Sequence, residues 1–121
     1  MSALLAVALG GAIGAAGRHL CVLWFGGAGF PWAVLGVNVA GSFAMGVLAA
    51  LLARLAAPAG LQLFLATGIL GGFTTFSAFS LDAVRMLELG ELLPASGYIL
   101  GSVALSIAAL YLGLQAVRSF V

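Results

Sequence analysis

From Pro31 to Leu55 the chain carries a single charged residue, Arg54, and it stands at the far end of the run. A bilayer core about 30 Å thick is crossed by about 20 helical residues, so this run is long enough to span it. Three more runs of this kind are present, from about Ser2 to Phe25, about Leu61 to Leu89 and about Leu93 to Phe120. With 64% hydrophobic and 6% charged residues and a mean hydropathy of +1.30, so short a chain cannot hide its apolar surface inside a soluble domain. The expectation is an all-α integral membrane protein in which residues 1–121 form a single four-helix domain. The alternation of a membrane β-barrel is absent. The Ala-rich start lacks a basic leader region and is read as the first span, not as a signal peptide.

The connections are Gly26 to Phe30, Ala56 to Gly60 and Gly90 to Pro94. Links this short make neighbouring helices antiparallel. Small residues recur four apart at Gly10 and Gly14, Ser42 and Gly46, Gly68 and Gly72, and Gly97 and Gly101, a spacing that lets helix backbones approach closely in lipid.

The third run is the irregular one. Gly71-Gly72-Phe73-Thr74-Thr75-Phe76-Ser77-Ala78-Phe79-Ser80 places poor helix formers at membrane depth. A helix can break there only where protein buries the break or it lines a watery cavity. Freed carbonyls can then hold a cation, and a helix N-terminus can face an anion. Phe76 and Phe79 fall on one helical face, with Ser77 and Ser80 on its neighbour. The pattern reads either as a packing site with lipid-facing aromatics or as an ion site, and the clustering favours the ion site.

Polar residues elsewhere admit paired readings. Asn38, in the middle of the second span with Ser42 one turn on, is either interhelical glue or an amide donor for a permeating anion. Tyr98, Ser102 and Ser106 form a stripe on the fourth span, either bonding back to their own helix or walling a polar track. Arg18 either snorkels to the headgroups or faces an aqueous vestibule. His19 reads as interfacial and Cys21 as a small buried hydrophobe.

The formal net charge of +1 and the scattered arginines exclude a nucleic-acid partner. Nucleophile–base pairs, metal clusters and phosphate loops are absent, so no enzyme activity is expected. Arg54 and Arg118 fall towards one membrane face, Arg18 and Arg85 towards the other. Orientation follows an asymmetry of positive charge, and here there is none. The chain is therefore expected to insert both ways and to pair antiparallel about a twofold axis in the membrane plane.

The sequence resembles the Fluc (CrcB) family of bacterial fluoride channels over essentially its whole length. The resemblance is carried by Gly10-Gly11-Ala12-Ile13-Gly14-Ala15-Ala16-Gly17-Arg18, by Asn38-Val39-Ala40-Gly41-Ser42-Phe43 and, most specifically, by Gly71 to Ser80. It implies an antiparallel, dual-topology homodimer in the bacterial plasma (inner) membrane with two fluoride pathways. By the same resemblance Asn38, Phe76, Ser77, Phe79, Tyr98, Ser102 and Ser106 belong to the pathway and Arg18 to the vestibule. The backbone carbonyls of Gly71 and Thr74 would hold a central structural Na⁺. The chain departs from the family pattern at Val34 and Ala78, where Thr is frequent, at Asp82, where Glu is usual, and at His19, where Tyr is usual.

The implied activity is passive fluoride export. A narrow pore must replace the shell of a strongly hydrated anion, using the Asn38 amide, hydroxyls and the positive ring edges of Phe76 and Phe79. An inside-negative potential drives the anion out with about 2.3 kcal/mol per 100 mV. Two alternatives are a small multidrug-type exporter and a non-transporting scaffold subunit. The exporter needs a membrane-embedded acid, and Asp82, Glu88 and Glu91 all follow the irregular stretch towards one face.

Overall fold

Residues 2–120 are described by a computed structural model. Four stretches are long and apolar enough to cross a membrane: Ala3–Phe25, Trp32–Arg54, Ala59–Glu88 and Leu92–Phe120. Each lies within a few residues of its expected span. The described residues contain no strand.

Helix α1 (Ala3–Phe25) starts at Ser2, whose Oγ accepts from the Leu5 N–H at 3.2 Å, satisfying one of the donors a helix start leaves free. Helix α2 (Trp32–Arg54) follows Pro31. The third span is composite. It opens as α3 (Ala59–Gln62), widens into a π-helical stretch over Leu63–Leu70 and closes as the single turn α4 (Gly71–Phe73). After Thr74 and Thr75 it resumes as α5 (Phe76–Glu88), and α6 (Leu92–Phe120) completes the chain.

Two expectations change. The break is narrower than the Gly71–Ser80 stretch suggests: only Thr74 and Thr75 leave the helix, while Gly71 and Gly72 stay in it. Pro94, expected in the last connection, lies in the first turn of α6. First-turn N–H groups have no helical acceptor, so proline loses nothing there.

The bundle consists of two close helix pairs, α1 against the third span and α2 against α6. In the first pair, a Cβ built on Gly14 would overlap the Ile69 carbonyl, and one on Gly72 would lie 2.6 Å from the Gly11 carbonyl. In the second, Gly46 and Gly113 press on the backbone of Leu110 and Phe43. Lipid gives helices no hydrophobic reason to associate, so backbone proximity and van der Waals contact do that work. Gly97 and Gly101, expected from their spacing to do the same, have open space around them within the chain.

The best-buried cluster joins α5 to α6. Phe79, Ala83, Met86, Ala95 and Tyr98 form it, with Phe30 and Val34 packed against its edge. Tyr98 is fully enclosed, with rings of Phe79 and Phe30 at 5.1 Å and 5.5 Å. Large apolar side chains are exposed along the spans, among them Ile13, Leu100 and Ile107, as suits helices that cross a membrane.

Candidate functional site

The break is held open by hydrogen bonds that replace the helical ladder. Thr74 still donates its N–H to the Leu70 carbonyl at 3.0 Å, and its hydroxyl adds a second bond there at 2.9 Å. Thr75 is extended, at φ −150 and ψ 124. Its N–H donates to Asn38 Oδ1 at 2.8 Å, and its carbonyl accepts from Asn38 Nδ2 at 2.9 Å. Its hydroxyl caps α5 by accepting from the Ala78 N–H at 3.1 Å. Arg18 reaches in from α1, and its Nε donates to the Gly72 carbonyl at 3.2 Å.

Gly41 sets this arrangement up. A Cβ there would overlap the Thr74 methyl group, so α2 can approach the break closely enough for the short Asn38 side chain to bridge it. Asn38 and Ser42, four apart, share a helical face.

Around the break lies a cavity of about 320 Å³ to which α2, the break and α6 all contribute. Its wall includes Asn38, Thr75, Phe76, Phe79, Ser102 and Ser106, and no charged residue. The Phe76 and Phe79 rings stand 5.3 Å apart and tilted. Asn38 Nδ2 carries two hydrogens, of which Thr75 takes one. Ser102 Oγ is buried and has no hydrogen-bond partner among the described residues. It does not bond back to its own helix, as Ser80 and Ser96 do at 2.9 Å and 2.7 Å. A buried, unsatisfied hydroxyl is costly unless something else comes to it. The cavity thus offers neutral donors and two aromatic rings within an otherwise apolar wall, a chemistry that suits a partly dehydrated anion and leaves it free to depart.

Of the candidate pathway residues, the structure brings Asn38, Phe76, Phe79, Ser102 and Ser106 together here. Ser77 is exposed outside the cavity, its hydroxyl 3.3 Å from that of Thr75. Tyr98 lies behind Phe79, with its hydroxyl 3.2 Å from Asp82 Oδ2. Thr74, Thr75 and Ser42, which sequence reasoning did not count as pathway residues, line the cavity too. Hydroxyls spaced along the facing helices are a signal only once it is known which helices face each other.

A second cavity, of about 270 Å³, shares Thr75 with the first. Arg18, His19, Thr75 and Asp82 contribute polar groups to it, and Val34 and Ala78 apolar ones. The four positions expected from the resemblance to differ from the family pattern, His19, Val34, Ala78 and Asp82, therefore line one cavity.

The family described as "CrcB-like protein, Camphor Resistance (CrcB)" matches residues 5–114. The fluoride-specific ion channel FluC of Chelativorans sp. (strain BNC1) is 55% identical over 120 residues, covering 96% of each chain. That of Mesorhizobium japonicum is 52% identical over 119 residues, again covering 96% of each. The protein of the same name from Rhodospirillum centenum is 48% identical over 125 residues, covering 100% of this chain and 99% of its own. With its whole length accounted for by such relatives, and with the matched residues enclosing the broken helix and its cavity, the chain belongs to the CrcB family.

Proposed function

We propose that the protein is a fluoride-specific channel that lets cytoplasmic fluoride leave down the membrane potential and so protects the cell. One observation carries this reading: an uncharged cavity lined together by Asn38, Phe76, Phe79 and Ser102, whose hydroxyl has no partner among the described residues. Neutral donors replace part of a hydration shell without trapping the ion as a fixed positive charge would. No carboxylate lines this cavity, and Asp82 is bonded to Tyr98, so proton-coupled export finds no support in it.

The working form in this proposal is an antiparallel homodimer in the bacterial inner membrane, with a Na⁺ at its centre. Three features support it. Arginine is balanced between the two faces. Gly71 and Phe76, beside the break, are exposed on the single chain, whereas a broken helix must be covered at membrane depth. Gly71 and Thr74 also fit a hard cation. The Thr75 N–H, which would meet the Gly71 carbonyl in a continuous helix, goes to Asn38 instead, and the Ala78 N–H, which would meet Thr74, goes to the Thr75 hydroxyl. Both carbonyl oxygens are released, and two from each of two copies would make an oxygen donor set of the kind hard cations take. A bound Na⁺ would offset carbonyl dipoles that otherwise oppose an anion nearby.

The test is growth. In a bacterium lacking its own fluoride export, the wild-type gene restores growth on fluoride and Phe79→Ile does not. Failure of the expressed, folded wild type to protect would overturn the reading. Accessibility labelling of a C-terminal tag tests the assembly: the tag is reached from both sides of the membrane, and a tag found on one side alone would end the dual-topology proposal.

A further inference from the structure

We infer that Asn38 is a positioning residue for the cation site: by pairing with both backbone groups of Thr75, it keeps the Gly71 carbonyl free to face a cation. This rests on the proposed Na⁺ site and adds to it a residue that touches no cation itself.

Thr75 has two backbone groups to satisfy, and hydrocarbon offers a partner to neither. The simplest solution is a continuous helix, with the Thr75 N–H on the Gly71 carbonyl. The structure has the other solution. Asn38 presents an acceptor and a donor side by side, 2.8 Å and 2.9 Å from the Thr75 N–H and carbonyl. The carboxamide acts as a two-residue piece of neighbouring strand, matching the extended conformation of Thr75. An aliphatic side chain could make neither bond, and a hydroxyl would have to make both through a single oxygen.

Removing Asn38 leaves both Thr75 groups unpaired. The helical acceptor for the N–H is Gly71, and recapturing it would restore one ladder bond while closing one carbonyl to the cation. Gly72 is a poorer substitute: it lies three residues back, where only the tighter 3₁₀ geometry would reach it, and its carbonyl already accepts from Arg18. Thr74 depends less on Asn38, since its carbonyl is released by the Thr75 hydroxyl cap on α5. Thr75 lines both cavities, and Asn38 lines the first.

The experiment is equilibrium binding of ²²Na⁺ to purified full-length protein, read beside the Na⁺-dependent rise in its melting temperature. Wild type, Asn38→Ala, Asn38→Asp and Ser96→Ala are compared, Ser96 having its own bond to Leu92 far from the break. Supporting residues one step removed from a metal typically set its affinity by about 10–100-fold. Asn38→Ala is expected to weaken Na⁺ binding by at least about tenfold. Asn38→Asp keeps the acceptor for the Thr75 N–H, the bond that holds this N–H off the Gly71 carbonyl, but sets a second acceptor against the Thr75 carbonyl, so it is expected to retain Na⁺ binding at reduced stability while its charge opposes fluoride. Ser96→Ala is expected to match wild type in both readouts. Wild-type affinity in Asn38→Ala would overturn the inference alone. Should Asn38→Ala fail to fold, Asn38→Asp decides: retained binding supports the inference and lost binding overturns it. Absence of Na⁺ binding in the wild type would overturn the cation site itself, and this inference with it.

Discussion

Gly10 of α1 and Gly68 of the π-helical stretch touch backbone to backbone. A Cβ added to Gly10 would lie 2.9 Å from the Gly68 Cα, and one added to Gly68 would lie 2.8 Å from the Gly10 Cα. Neither neighbour is a side chain that can swing away. Gly68→Ala is therefore expected to destabilise the protein by about 1–3 kcal/mol, the usual range for overpacking. Gly36→Ala, with open space around it, is expected to cost nothing within the chain and to gain from alanine's helix propensity. Thermal unfolding of the purified variants checks the contrast; equal melting temperatures would contradict the packing described.

Two helices end in the same way with different residues. After α2 the Ala57 N–H closes on the Leu52 carbonyl, and after α5 the Glu91 N–H closes on that of Met86. The residue that must turn left-handed is Ala56 in the first, at φ 48, and Gly90 in the second, at φ 76. Glycine is at ease there and alanine is not. Ala56→Gly is expected to raise stability by up to about 1 kcal/mol and Gly90→Ala to lower it by about 1 kcal/mol or more. Melting curves of the two variants moving in the same direction would refute this.

These contacts mark how far the sequence could be read. The four spans are legible because Leu, Val and Ala in long uncharged runs have few other places to go. The irregularity of the third span is legible from Gly71-Gly72 and Thr74-Thr75. Its form is not: Gly72 stays helical because Gly11 packs on it, and Thr75 leaves the helix because Asn38 takes its backbone groups. Hydropathy cannot distinguish an α-helical from a π-helical Leu63–Leu70. Arg18 could be narrowed to two readings, but its bond to Gly72 depends on how α1 meets the third span. Tyr98 fell into one stripe with Ser102 and Ser106 by spacing alone, whereas the depth of Phe79 between them decides that only the serines reach the cavity.

Ser102 separates stability from transport. Its buried hydroxyl has no partner among the described residues, so Ser102→Ala removes an unsatisfied group. Stability is expected to hold or to rise by about 1 kcal/mol. If the hydroxyl serves a passing anion, losing a net hydrogen bond of about 0.5–1.5 kcal/mol slows fluoride efflux by roughly 2–10-fold. Unfolding and efflux measured on the same preparation decide it: unchanged efflux would remove Ser102 from the pathway.

Removal of Na⁺ tests the proposed centre of the assembly. Replacing it by a large organic cation is expected to lower the melting temperature and to slow fluoride efflux, with both restored on returning Na⁺. Mass action makes the stabilisation grow with Na⁺ concentration above its dissociation constant. Identical behaviour with and without Na⁺ would leave the released carbonyls of Gly71 and Thr74 without a cation role.

The most direct measurement is ion release from liposomes containing the purified protein, followed with fluoride- and chloride-selective electrodes in the presence of Na⁺. The account predicts fluoride release on dissipating the charge imbalance, little chloride release, and slower fluoride release in Asn38→Ala and Phe79→Ile. Folded protein that releases no fluoride, or chloride as readily as fluoride, would contradict it.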